Sequence, residues 1–189
     1  MTENPFSKKR NPWSHSYPYQ FESCLERFGV GKKKVIWYHV LFLDKSLRTK
    51  LPFDKYPRLR VVGTIANVPI ENAFIPTGDG RNYVIVSPQV INESNISLGE
   101  SVEMCFRIAD QNKVDVPEVL LGEIELDTET HQKWEVLSPG KKRMLCHHVM
   151  SAKTEKTQIK RVGEALEALI DFDADLRLWR SVRKISRKA

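Results

Sequence analysis

The stretch SVEMCFRI, Ser101–Ile108, carries the clearest structural signal in this chain of 189 residues. Apolar side chains occupy every second position from Val102 to Ile108, and Glu103 and Arg107 stand between them. An extended strand turns successive side chains to opposite faces, so this alternation predicts one buried face and one wet face. The fold therefore contains a sheet that covers a core on one side.

Several segments before Ser101 also show strand patterns. Arg58–Ile65 and Tyr83–Val86 alternate with a period of two, and Val35–Leu43 is a short apolar run typical of a strand buried on both faces. Thr77–Asn82 predicts a turn, because its Gly, Asp and Asn residues suit tight backbone conformations. Gln20–Phe28 fits either a short helix or an edge element of the sheet.

The period of the apolar residues becomes helical after position 110. Pro117 fits the first position of one helix, and Asp127 can cap the next. Ser138–Pro139 combines an N-cap hydroxyl with a residue whose missing N–H costs nothing there. The apolar stripe that follows predicts two helices with a break near Ser151–Thr154.

The order of several short motifs resembles two known families. Three blocks resemble the family catalogued as domain of unknown function 1905: Val61–Pro69, Gly78–Gly80 and Leu98–Met104. Three later blocks are similar to the YdeI/OmpD-associated, bacteriocin-protection helical module often joined to it: Val116–Leu120, Trp134–Pro139 and Ala152–Val162. That module tends to have Trp, Glu and Arg where this chain has His148, Lys156 and Gln158.

The resemblance implies an α+β fold and no established reaction. It implies a small, mostly antiparallel closed β-barrel of the double-split type, followed by a C-terminal helical module. The expected organisation is a flexible basic N-terminal arm (1–34), a barrel domain (35–112), a bacteriocin-protection-like module (113–170) and a basic C-terminal tail or helix (171–189). No run approaches the roughly 20 apolar residues of a membrane helix, so we expect a cytoplasmic protein without a transmembrane segment.

The net charge of +6 conceals a strong segregation along the chain. Residues 1–60 carry 13 Lys and Arg against 5 Asp and Glu, residues 61–137 carry 4 against 13, and residues 138–189 carry 13 against 6. Either the basic segments bind a polyanion, or they lie against the acidic middle and are neutralised by it. The candidate polyanion-binding residues are Lys141, Lys142, Arg143, Lys153, Lys160, Arg161, Arg177, Arg180, Arg183 and Lys184.

Residues with reactive side chains form no known catalytic or metal-binding signature. Neighbours on a helix diverge by about 100°, so Cys146, His147 and His148 cannot all face one ion. Asp127 and His131 share a helix face, yet two ligands do not define a site. We therefore expect no metal and no cofactor. Cysteines 24, 105 and 146 are expected to be small buried side chains rather than disulfide partners.

Three functions are compatible with these patterns. The first is a non-enzymatic binding or stress and bacteriocin-protection factor of unknown ligand. The second is a nucleic-acid-binding regulator that uses the basic C-terminal helices, and the third is a small-molecule-binding barrel or an unrecognised hydrolase. The partners that fit the charge are a nucleic acid or an acidic protein. Oligomer formation stays open.

Overall fold

A computed structural model describes residues 17–30 and 36–186, with side chains along the last helix as far as residue 182. Its contacts divide the chain into two compact units, Met1–Gln111 and Asn112–Ala189. The first unit carries the strands and two short helices, and the second is helical. None of the described helices has the length and apolar character needed to cross a membrane.

The first unit is built on an antiparallel sheet. Its strands are β1 (Tyr19–Cys24), β2 (Glu26–Val30), β3 (Ile36–Phe42), β4 (Leu59–Ile65), β5 (Val68–Pro76), β6 (Asn82–Val86) and β7 (Ser101–Ile108). Two short helices, α1 (Lys45–Arg48) and α2 (Pro88–Ser94), connect them. The strand order is β1-β7-β4-β5-β6-β3-β2, and every pairing is antiparallel.

The sheet curls because its two end strands are neighbours in sequence. Only Leu25 separates β1 from β2, although the two strands lie at opposite ends of the strand order. Consecutive Cα atoms are about 3.8 Å apart, so the ends of the sheet have to approach each other. Two backbone hydrogen bonds fix Leu25. Its N–H donates to the carbonyl of Glu100 at 2.9 Å, and its carbonyl accepts the N–H of Gly99 at 2.9 Å. The expected α+β arrangement is confirmed in the form of a curled antiparallel sheet, a half-barrel, and a helical unit.

The alternation along β7 predicts the barrel core correctly, with one exception. Val102, Met104 and Phe106 are buried, and the Phe106 ring lies 5.2 Å from that of Phe74. Cys105 stands on the face predicted to be wet, yet it is also fully buried. Its side chain is short, and β7 lies between two strands, so cross-strand neighbours on both sides shield it.

Strand β3 is buried along only half of its length, so the prediction of burial on both faces is wrong for its first residues. Ile36 is 53% exposed and Trp37 is 50% exposed, whereas Val40 and Leu41 are fully buried. The reason is the pairing. The first three residues of β3 pair with β2 alone, while His39 and the residues after it also pair with β6.

The segment from residue 19 to residue 30 was expected to belong to the N-terminal arm, but it forms β1 and β2. The helix alternative for this segment is therefore wrong, and the edge-strand alternative is confirmed. The remaining arm residues, 1–16 and 31–34, lie outside the described residues. Thr77–Asn82 does connect β5 to β6 as a turn, with Gly80 at a φ of 83°.

The second unit consists of five helices within the described residues. They are α3 (Glu118–Leu126), α4 (Thr128–Glu135), α5 (Pro139–Met150), α6 (Glu155–Asp171) and α7 (Leu176–Ser186). Their apolar faces pack on one another around Trp134 and Trp179, which are 4% and 8% exposed. The predicted helical period after position 110 is confirmed.

The predicted caps position these helices. Asp127 accepts the N–H of Thr130 at 2.7 Å, and Ser138 accepts the N–H of Lys141 at 3.4 Å. The break between α5 and α6 falls where it was predicted, at residues 151–154. Pro117 is the N-cap of α3 rather than its first residue. These local signals hold because a cap depends on residues within one turn of each other.

Candidate functional site in the helical unit

Two of the basic candidates are used in packing the helices. The ammonium group of Lys142 lies 3.5 Å from the Glu135 carboxylate and 5.3 Å from the centre of the Trp134 ring. Arg143 donates to the backbone carbonyl of Lys113 at 3.0 Å. The structure therefore does not bring these two cations together with the others.

Lys141 and Arg177 line an open groove between α5 and α7. The groove has a volume of about 480 Å³, and Met144, Phe172 and Leu178 supply its apolar surface. The ammonium group of Lys141 donates to the backbone carbonyl of Asp173 at 2.7 Å. That contact fixes Lys141 to the turn that separates α6 from α7.

Arg161 and Arg180 contact His148, near the end of α5, and Lys160 pairs with Glu164, the partner of His148. His148 Nε2 lies 2.8 Å from Glu164 Oε2, and Arg180 Nη2 lies 3.2 Å from His148 Nδ1. Arg161 Nη1 donates to the His148 carbonyl at 3.0 Å and to Ser151 Oγ at 2.7 Å. We call His148, Lys160, Arg161, Glu164 and Arg180 the histidine cluster.

Three helices supply the histidine cluster, and local signals set where each helix starts. Thr154 caps α6 through the N–H of Thr157 at 3.3 Å, and Lys160 and Glu164 then lie one turn apart, 3.7 Å between ammonium and carboxylate. Asp175 caps α7 by accepting the N–H of Arg177 at 2.8 Å. The hydrogen bonds that the backbone N–H groups of Leu178 and Arg177 donate to Asp175 lower its pKa, and the fixed start of α7 lets Arg180 reach His148.

The contacts of His148 define its protonation state. A guanidinium group can only donate hydrogen bonds, so Nδ1 accepts from Arg180 and the proton sits on Nε2, which donates to Glu164. The ring is therefore neutral. Burial is the main cause that lowers the pKa of His148, and Arg180 and Arg161 lower it further, while Glu164 opposes them.

The geometry of the histidine cluster suits charge binding rather than acyl transfer. Both ring nitrogens of His148 are engaged, so neither is available as a general base. The Ser151 hydroxyl donates to the backbone carbonyl of His148 at 3.1 Å and not to the ring, so these residues do not form a Ser–His–Glu triad. Among the five residues of the histidine cluster, three are basic and one is a carboxylate, which gives the cluster a surplus of positive charge.

The other candidates are spread along the unit. Lys153 is exposed in the break between α5 and α6. Arg183 and Lys184 lie within α7, but their side chains are outside the described residues. Sequence reasoning missed Glu164, and it considered His148 as a departure from a motif and as a metal ligand but not as part of an ion-pair cluster. The available signal was spacing, since His148 follows the buried Leu145 by three residues and therefore borders the packed face of α5.

Neither the acidic nor the thiol groups point to a metal centre. Among the described residues, no group of three or more His, Cys, Asp or Glu side chains could hold an ion. Asp127 caps α4, and the hydrogen bonds from Thr130 lower its pKa. Cys105 and Cys146 are buried, and burial raises the pKa of Cys146. Cys24 is exposed on the edge strand β1, so the prediction that it would be buried is wrong.

The stability of the helical unit should fall as the pH drops below about 6.5, the ordinary pKa of histidine. The unfolded chain binds a proton at His148 more readily than the folded unit, so stability is lost from pH 6.5 down to the lowered folded pKa. Protonated Nδ1 would also oppose Arg180. Thermal melting between pH 7 and pH 5 measures this loss, with His148→Gln as the control.

A His148→Gln variant that shows the same decrease in melting temperature over this range would contradict the prediction. The charged groups that face His148 are Lys160, Arg161 and Glu164 from α6 and Arg180 from α7. The difference between the melting curves of the two proteins therefore reports the protonation of His148.

Comparison with known proteins adds one match. Residues 113–170 match the family model described as Bacteriocin-protection, YdeI or OmpD-Associated. No curated protein and no solved structure matches the chain. The resemblance to domain of unknown function 1905 in the first unit stays a prediction. The second unit, which carries His148, Arg161 and Glu164 within the matched range, is thus similar to the bacteriocin-protection, YdeI or OmpD-associated family.

Proposed function

We propose that this protein is a non-enzymatic binding factor in stress or bacteriocin protection, and that its helical unit binds the phosphates of a nucleic acid. The observation that carries this proposal is that Arg161 and Arg180 both contact His148, while Lys160 pairs with Glu164, the carboxylate partner of His148. The family description of residues 113–170 supports the protective role. The positive charge of the histidine cluster supports a phosphate-bearing ligand such as a nucleic acid.

The exposed members of the histidine cluster are suited to phosphate contact. The Lys160 side chain is 66% exposed, and Arg180 is also exposed. An arginine has five N–H donors, and the contact with His148 Nδ1 accounts for one of those on Arg180. A guanidinium that is already oriented by a neighbour loses less side-chain entropy when it binds a phosphate.

Binding to duplex DNA should be strong at low salt and weaken as salt rises, because each neutralised phosphate releases a counterion. We expect the Lys160→Ala, Arg180→Ala double variant to reduce the slope of log K against log salt by about 1.8, from about 0.9 for each lost contact. Fluorescence anisotropy of labelled duplex between about 50 and about 200 mM salt measures both quantities.

The matched control is Lys142→Met with Arg143→Met. It removes the same formal charge from the same unit, keeps the apolar stems, and alters two cations that are used in packing. Its slope should equal that of the unaltered protein. A lack of duplex binding at low salt, or equal slopes for both double variants, would contradict the proposal.

A further inference from the structure

Trp37 is an exposed aromatic side chain on the barrel unit, away from any role in its core. It is 50% exposed, and Ile36 beside it is 53% exposed. Both lie at the start of β3, where this strand pairs only with the edge strand β2. Trp134 and Trp179, in contrast, are almost fully buried. Strand alternation turns the two side chains to opposite faces, so Trp37 is the exposed aromatic group of its own face.

The Arg27 side chain covers one face of the Trp37 ring. The Arg27 guanidinium carbon lies 5.1 Å from the centre of the ring. In the β2–β3 register, Arg27 pairs with His39 and Gly29 pairs with Trp37, so Arg27 is a diagonal neighbour on the same face. Gly29, the residue directly opposite Trp37, has no side chain that could cover the ring. The half exposure of Trp37 therefore leaves a flat aromatic face available beside a cation.

The sequence next to Trp37 is basic, which favours an anionic partner. By sequence, the segment between Val30 and Ile36 contains Lys32, Lys33 and Lys34, and residues 1–60 carry 13 Lys and Arg against 5 Asp and Glu. A local excess of positive charge attracts phosphate groups over the Debye length. The partner therefore combines negative charge with flat apolar groups.

We propose that Trp37 and Arg27 form a stacking site for a base of single-stranded nucleic acid. Bases of a single strand are free to stack on an aromatic ring, and this contact tolerates any sequence. The site belongs to the barrel unit and does not rest on the function proposed for the helical unit. Anionic membrane binding fits less well, because strand alternation turns Ile36 and Trp37 to opposite faces and breaks the continuous apolar surface.

The test is a titration with labelled oligothymidylate of about 12 nucleotides, read by anisotropy. Trp37→Ala should weaken binding by about ten- to hundredfold, and Trp37→Phe should retain most of it, because phenylalanine still stacks. Ile36→Ala is the matched control. It removes a side chain of similar exposure from the other face of the strand and should leave the affinity unchanged.

Two further measurements separate a loss of stacking on Trp37 from a loss of folding and from binding by the helical unit. The melting temperature of Trp37→Ala should equal that of the unaltered protein, because the side chain is outside the core. The effect of Trp37→Ala on oligothymidylate affinity should persist when it is measured in the Lys160→Ala, Arg180→Ala double variant. Duplex binding should be changed by the Lys160 and Arg180 substitutions and not by Trp37→Ala. Equal oligothymidylate affinity with and without Trp37 would overturn the proposal, as would binding to phosphatidylserine vesicles but not to the oligonucleotide.

Discussion

Replacing Gly63 with alanine should lower the unfolding free energy of the barrel unit by about 3 kcal/mol. A Cβ atom at position 63 would overlap the backbone carbonyl of Cys105 and lie 2.7 Å from the Cα atom of Phe106. Both atoms belong to the backbone of β7, which pairs with β4 at this point. The methyl group therefore cannot be accommodated by a side-chain rotation, and the β4–β7 ladder has to open.

Urea unfolding, followed by circular dichroism, measures this loss. The control is Gly163→Ala in α6, where an added Cβ would meet no atom within 4 Å. An alanine in a helix interior is favoured over glycine, so the control should gain roughly 0.5–1 kcal/mol. Similar small changes in both variants would show that the close approach of β4 and β7 does not limit the barrel.

Replacing Glu164 with alanine should have two opposite effects. The helical unit should lose about 1–3 kcal/mol of stability, because His148 Nε2 is left without its acceptor in a site where the histidine side chain is 10% exposed. Duplex binding should become tighter, because the cluster loses the carboxylate that pairs with Lys160 and its positive charge rises by one. Thermal melting and anisotropy measure the two effects separately.

Two substitutions test the cause of these effects. Glu164→Gln keeps an acceptor for His148 and removes the charge, so it should retain more stability than alanine and still tighten binding. Glu135→Ala removes an exposed carboxylate that lies 3.5 Å from the Lys142 ammonium group, and it should change stability by less than about 0.5 kcal/mol. Weaker duplex binding by Glu164→Gln would show that the histidine cluster does not bind phosphate.

The sequence predicted the elements whose signals are local. The alternation in Ser101–Ile108 was enough to place β7, since the period of a strand needs only neighbouring residues. The caps at Asp127 and Ser138 were predicted for the same reason. The strand β5 was not predicted. It follows a turn in which Ala66 and Asn67 both have positive φ, and an alanine there gives a weak turn signal.

The candidate sites were harder to predict from the sequence than the helices and strands were. The ten basic candidates were chosen by charge, and charge does not separate Lys142, which packs on Trp134, from Lys160, which is exposed. The exposure of Trp37 was missed because an apolar run looks the same whether both of its faces are covered or not. The exposure of that residue depends on how many strands pair with β3 at each position.

The sequence by itself determined the α+β class, the caps, the break between α5 and α6, and the resemblance of the helical module to a known family. These properties depend on residues close together in the chain. Only the tertiary structure decided that Leu25 joins the two ends of the sheet and that His148 meets Glu164 and Arg180, which are 16 and 32 residues away. Such contacts depend on how separate elements pack, and no local pattern specifies that packing.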